Sequence, residues 1–115
     1  ITLNSAIDFA KENALLNNVS NAHFFTLNMK KILEVAPLEV STLIVDPPRS
    51  GLDKKVVSKL LELAPEKIIY MSCNPKTQKL DFDLLKGYEL ISLNGYDMFP
   101  QTPHVETLAV LKRII

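Results

Sequence analysis

The chain of 115 residues holds a single cysteine, Cys73, so an intramolecular disulfide and a multi-cysteine zinc site within it are both excluded. That usage suits a reducing compartment, and a cytoplasmic location is expected. There is no tryptophan, and glycine occurs only three times. No apolar run approaches the roughly 20 residues of a membrane span, and no basic-then-apolar leader opens the chain, so no membrane partner is expected. Excess charge is also missing: 13 Lys and Arg balance 13 Asp and Glu, leaving no net field to advertise a polyanionic partner. Neutrality does not exclude RNA, whose binding surface can lie on another domain. Internal repeats, low-complexity tracts and linkers are absent too.

What remains is a globular composition, 47% hydrophobic and 23% charged, of a length that fits one domain or part of one. Ile1-Thr2-Leu3 reads as the tail of a strand. Asn4 or Ser5 can cap a helix to about Asn17, with Ala6, Ile7, Phe9, Ala10, Ala14 and Leu15 as its apolar face. Asn17-Asn18 ends it, asparagine tolerating left-handed backbone. His23 to Leu27 is a short aromatic-rich strand candidate, and Met29 to about Val35 a short helix stopped by Pro37.

Val40 to Val45 has the unalternating apolar character of a strand covered on both faces. It runs into Asp46-Pro47-Pro48-Arg49-Ser50-Gly51, a loop stiffened by two prolines. Asp53 then caps a helix bearing Val56, Val57, Leu60, Leu61 and Leu63 before Pro65. Lys67 to Met71 is a second buried-type strand, breaking into Ser72-Cys73-Asn74-Pro75. A helix follows to about Leu85, stopped by Gly87. Tyr88 to Leu93 and Thr107 to Ile114 are the closing strands.

Strands alternating with helices of about ten residues predict an α/β fold with a mostly parallel sheet wrapped by helices. Ligands in such sheets bind beyond the carboxyl ends of the strands. The Asp46 and Cys73 loops both follow strands directly, so they are expected on one edge. An antiparallel hairpin of the last two strands would bring Glu106 to that edge.

Each candidate also has a plainer reading. Asp46 can accept hydrogen bonds from the next helix's amides, since carboxylates favour helix N-termini. Cys73 can be a small core hydrophobe. It becomes a nucleophile if the helix starting at Asn74-Pro75 favours its thiolate. Glu106 can be a surface carboxylate and His104 a loop histidine. Cys73, His104 and Asn74 are also the residue types of a cysteine hydrolase, but Asn74 adjoins Cys73 and is poorly placed to orient a histidine contacting that same thiol.

Three motifs decide among these. Asp46-Pro-Pro-Arg49-Ser-Gly51, then Ser72-Cys73-Asn74-Pro75 with Thr77 and Asp81, then Asp97-Met-Phe-Pro-Gln-Thr-Pro-His104-Val-Glu106-Thr107 closely resemble the uracil-C5 RNA methyltransferases, in order and spacing. The resemblance covers essentially the whole chain. It implies a partial Rossmann-like methyltransferase fold and S-adenosylmethionine-dependent formation of 5-methyluridine in RNA. Asp97 to Thr102 looks closest to the ribosomal RNA branch, favouring rRNA over tRNA. By the same resemblance, Cys73 is the nucleophile that adds to carbon 6 of uracil and Glu106 the base that removes the proton at carbon 5. Asp46 matches an acid lying between cofactor and target base, and Asn28 falls where the family places an Asp or Asn near the cofactor's adenosine. The uridine would have to be extruded from its RNA fold to reach Cys73.

Departures are equally definite. The family's Gly-rich cofactor loop and its central strand would precede Ile1, as would its RNA-binding domain and, in some members, iron–sulfur cysteines. Leu80 stands where a basic residue is common. The chain is therefore expected to be the carboxyl-terminal portion, residues 1–115, of one methyltransferase domain, binding cofactor weakly or not at all and inactive alone. Two other classes stay open. An amino-methyltransferase uses an Asp/Asn-Pro-Pro-aromatic loop, but Arg49 replaces the aromatic and such chemistry has no use for Cys73 or Glu106. A non-catalytic fragment or RNA-binding module would keep only the fold.

Overall fold

The computed structural model describes residues 3–28, 31, 32, 34 and 39–114. Helix α1 spans Leu3–Leu16, so Leu3 is helical and not the end of a strand; Ile1 and Thr2 lie outside the described residues. The helix stops in a left-handed turn at Asn18 (φ 57°), with Val19 N donating to Ala14 O at 2.8 Å and Asn18 N to Leu15 O at 3.2 Å. These bonds satisfy carbonyls that a helix end leaves open. Of the expected apolar face, Ile7, Ala10 and Ala14 are half-buried, while Ala6, Phe9 and Leu15 are exposed. Residues 7, 10 and 14 form one stripe at helical spacing, and the others fall off it.

Residues 23–27 are irregular and join no ladder among the described residues, against the expected strand. A strand needs a neighbour for its backbone groups, and none of the described strands lies beyond β1 (Thr42–Val45), the sheet's edge on that side. Asn28 starts a helical turn, accepting from Lys31 N on Oδ1 (2.9 Å) and from Ile32 N on its carbonyl (3.0 Å). The remainder of the helix expected from Met29 to Val35 lies largely outside the described residues.

The sheet has the order β1-β2-β4-β3, with β2 at Lys67–Ser72, β3 at Tyr88–Tyr96 and β4 at Glu106–Arg113. The β1–β2 pair is parallel; β4 is antiparallel to both β2 and β3. The closing antiparallel hairpin is thus present, and its second strand is inserted beside β2. Among the described strands the parallel share is the single β1–β2 pairing.

Helix α2 (Lys54–Leu63) is capped by Asp53, whose Oδ1 accepts from Lys55 N at 2.7 Å, and ends at Ala64 in left-handed backbone (φ 48°). Helix α3 (Pro75–Leu84) is capped by Asn74 with Pro75 in its first turn, where a missing N–H costs nothing. Val56, Val57 and Leu60 of α2 pack with Val45, Ile68, Tyr70, Ala109 and Leu111 of the sheet to form the core. Tyr70 meets Phe82 of α3 edge to face, ring centroids 6.0 Å apart. Strand alternation places Ile44 and Met71 on the opposite face, where both are exposed. At the far end, Tyr88 Oη donates to Pro65 O and Arg113 Nη1 to Ala64 O, fastening β3 and β4 to the turn after α2. Among the described residues, no helix is long and apolar enough to cross a membrane.

Candidate functional site

Because β1 and β2 are parallel, the loops leaving Val45 and Ser72 emerge at the same sheet edge. The antiparallel β2–β4 ladder ends with Ser72 opposite Thr107. Cys73 directly follows the one strand, in the bend that leaves it, and Glu106 directly precedes Thr107 on the other. The register therefore brings the two candidates to the same end of adjacent strands.

Local bonds fix the Cys73 turn. Asn74 N donates to Ser72 Oγ at 2.9 Å, closing a small ring around Cys73, which is half-buried with a free thiol. Asn74 Oδ1 accepts from Lys76 N at 3.2 Å as the α3 cap. The loop after β1 is drawn to this turn: Arg49 O accepts from Asn74 Nδ2 at 3.2 Å and from Thr77 Oγ1 at 2.9 Å. The Arg49 guanidinium reaches the third segment, with Nη1 3.5 Å from His104 Nδ1. Three loops that sequence reading put on one edge are thus physically joined, and Arg49 and His104 join them.

Beneath the loops lies a polar network that sequence reasoning missed. Asp81, buried on α3, accepts from Tyr70 Oη at 2.5 Å and from Leu52 N at 2.8 Å. Burial, with Asp81 and Cys73 as lesser causes, pushes the Tyr70 hydroxyl well above its ordinary range, so it is a proton donor throughout. Gln78, also buried, reaches both β2 and β4. A signal for both was present: 78, 81 and 85 follow helical spacing, so two polar residues occupy the stripe that faces the core.

Asp46 stands exposed at the end of β1 and makes no hydrogen bond or ion pair among the described residues. That leaves its carboxylate available to a ligand and does not support the helix-capping alternative, which Asp53 fulfils. Asn28 lines a cavity of about 730 Å³ together with the segment from Pro47 to Val56. This is within the size range of small-molecule sites. Asp46 is adjacent in sequence to that lining but not part of it. Among the described residues there is no cluster of three or more acidic, His or Cys side chains able to hold a metal.

Known proteins resemble this chain in sequence and in fold. A family model described as tRNA (uracil-5-)-methyltransferase matches residues 2–114. The tRNA (uracil(54)-C(5))-methyltransferase of Pyrococcus furiosus is 44% identical over 110 residues, which cover 96% of this chain and 26% of that protein. The Schizosaccharomyces pombe enzyme of the same name is 38% identical, covering 96% of this chain and 22% of its own length. The crystal structure of Pyrococcus abyssi tRNA (uracil-54, C5)-methyltransferase in complex with S-adenosyl-L-homocysteine superposes with a TM-score of 0.83 at 41% identity, over 94% of this chain and 26% of that one. The chain thus spans about a quarter of the length of these relatives.

Proposed function

The chain belongs to the tRNA (uracil-5-)-methyltransferase family, and we propose that the protein it represents methylates carbon 5 of a uridine in RNA, using S-adenosylmethionine, through a covalent bond to Cys73. We read residues 1–115 as the carboxyl-terminal portion of one methyltransferase domain. The observation that supports the mechanism is the β2–β4 register, whose last rung, Ser72–Thr107, lies directly before Cys73 and directly after Glu106 in the chain.

Carbon 5 of uracil is a weak nucleophile. The Cys73 thiolate forms an S–C6 bond as the C5=C6 π pair shifts through C4 onto O4, and the resulting enolate makes C5 reactive. When bound, S-adenosylmethionine supplies an electrophilic methyl to C5 and leaves as S-adenosylhomocysteine. Glu106 then takes the proton from C5, the C5=C6 bond re-forms, and the S–C6 bond breaks to return the thiolate. Splitting one hard substitution into addition and elimination is what a covalent nucleophile supplies, and a positioned base commonly adds about 10²–10⁴-fold. Nucleophile and base must both reach one ring, which adjacent strands at a sheet end allow.

Asn28 and the Pro47–Val56 segment would hold part of the cofactor, since they line the cavity on the same edge. Asp46, with its carboxylate unengaged among the described residues, would contact the cofactor or target base. The relatives whose substrate is named act on tRNA, which favours tRNA over the rRNA suggested by Asp97 to Thr102. An RNA substrate and a reduced thiol both suit the cytoplasm. Weak cofactor binding and inactivity of residues 1–115 alone belong to the same proposal.

Trapping tests the reading. Full-length protein with S-adenosylmethionine and 5-fluorouridine-containing tRNA or rRNA should form an adduct stable to denaturation, because fluorine at C5 cannot be removed as a proton. Cys73→Ala should abolish it, and an adduct that persists in that variant refutes the assignment. For the isolated chain, titration calorimetry giving a micromolar Kd for S-adenosylmethionine would contradict the expected weak binding.

A further inference from the structure

A buried carboxamide links β2 and β4 beside the last rung of their ladder, Ser72–Thr107. Gln78, 1% exposed, projects from α3 with Nε2 3.1 Å from Tyr70 O on β2 and 3.5 Å from Thr107 O on β4. Its Oε1 accepts from Thr107 Oγ1 at 2.7 Å, and that hydroxyl also stands 3.3 Å from Ser72 O. One side chain thereby touches both strands where their ladder ends. Ser72 immediately precedes Cys73, and Thr107 immediately follows Glu106.

The two flanks are held unequally. The Cys73 turn is closed by the Ser72–Asn74 bond, capped onto α3, and tied again to Arg49 O. At the other flank, the Glu106 side chain makes no hydrogen bond or ion pair among the described residues. Its neighbour Thr107 is anchored by Gln78 and, at longer range, by Ser72 O. Removing the carboxamide leaves the Cys73 turn with its own bonds and takes from the Glu106 side its closest side-chain anchor, leaving the backbone pairings of Thr107 with Ser72 and Gly95 and of Glu106 with Tyr96. Register at a strand end matters because a slip of one residue turns a side chain to the opposite face. A buried amide is also unfavourable unless satisfied, and here both its ends have partners.

Resting on the reading above, we propose that Gln78 is a positioning residue for Glu106, acting through Thr107, and that it governs proton removal from C5 and release of the product more than the addition of Cys73 to C6.

The test uses the full-length protein with unmodified tRNA and S-adenosylmethionine, measuring both the denaturation-stable protein–RNA adduct and methylated product. In Thr107→Val, which removes one hydroxyl at nearly constant shape, and in Gln78→Met, turnover is expected to fall about tenfold or more while adduct formation changes by less than about threefold, so that adduct accumulates. Thr107→Ser, which keeps the hydroxyl, should restore turnover relative to Thr107→Val. If Gln78→Met fails to fold, Thr107→Val decides alone. A parallel loss of adduct and turnover, or no loss in either, overturns the proposal while a Cys73-dependent adduct leaves the catalytic reading standing. An adduct that survives Cys73→Ala overturns both.

Discussion

Asp81 occupies the space that a side chain on Gly51 would need: a Cβ built at residue 51 falls 2.7 Å from Asp81 Oδ2. Gly51 also has φ +85°, a backbone region that L-residues adopt only under strain. The end of the Asp46 loop and the helix behind Cys73 are thus packed to backbone contact. Gly51→Ala should destabilise the domain by about 2 kcal/mol or more, through left-handed strain of about 1–2 kcal/mol and the displaced carboxylate. Urea denaturation measures this, and a change below half a kcal/mol would show that the loop can relax away from Asp81.

Asp81→Ala should be worse than Tyr70→Phe. The alanine leaves two buried donors, Tyr70 Oη and Leu52 N, without their acceptor. The phenylalanine removes one donor and leaves the carboxylate bonded to Leu52 N. Unsatisfied buried groups cost about 1–3 kcal/mol each, so the expected order is clear even though the sizes overlap. Equal midpoints for the two variants in urea would contradict it.

Alkaline pH should weaken the fold through the same tyrosine. Burial raises the Tyr70 pKa above its ordinary 10.0, and burial raises Tyr88 in the same direction against the opposing pull of Arg113. Below about pH 10 both folded and unfolded states keep these protons, and the full stability is present. Above it the unfolded tyrosine ionises first and the folded one does not, so stability falls by up to about 1.4 kcal/mol per pH unit for each such group. Urea midpoints followed from pH 8 to 11.5 should decline beyond pH 10, less steeply in Tyr70→Phe. Identical slopes in the two proteins would remove Tyr70 as the source.

Ala64→Gly should stabilise the domain. Ala64 ends α2 at φ 48° and ψ 54°, directly before Pro65, a place where glycine avoids the Cβ penalty. Relief of about 1–2 kcal/mol, less glycine's greater freedom in the unfolded chain, leaves an expected gain of about 0.5–1 kcal/mol. Thermal denaturation would register this as a higher Tm. A lower one would mean that the Ala64 methyl contributes more by packing than its backbone loses by strain.

The sequence was most legible where local chemistry and burial agree. Asp53 and Asn74-Pro75 are cap signals readable without any neighbour, and both open helices as expected. Strands β1 and β2 show through their unbroken apolar runs. Residues 23–27 have the same aromatic and β-branched character but no ladder among the described residues, because pairing is a property of neighbours and not of the segment. The strand expected at Leu3, which is helical, fails for a related reason: the three residues Ile1-Thr2-Leu3 are too few to distinguish strand from helix. At the candidate site, motifs single out Cys73, Asp46 and Glu106, and the β2–β4 register puts the first and last at the same end of adjacent strands. Gln78 and the Tyr70–Asp81 pair were overlooked as contacts because their partners lie 8 to 29 residues away, on other elements.

Strand β4 is the last of the four described strands in the chain, yet it lies inside the sheet, between β2 and β3. During synthesis, the β2–α3 unit carrying Cys73 can form while residues beyond it are still being added. Strand β3 has to wait unpaired until β4 emerges and slots in beside β2, and only then does Glu106 arrive. The Cys73 side of the candidate site is thus assembled early and Glu106 last, so order of translation keeps the proposed reaction centre incomplete until the sheet has closed.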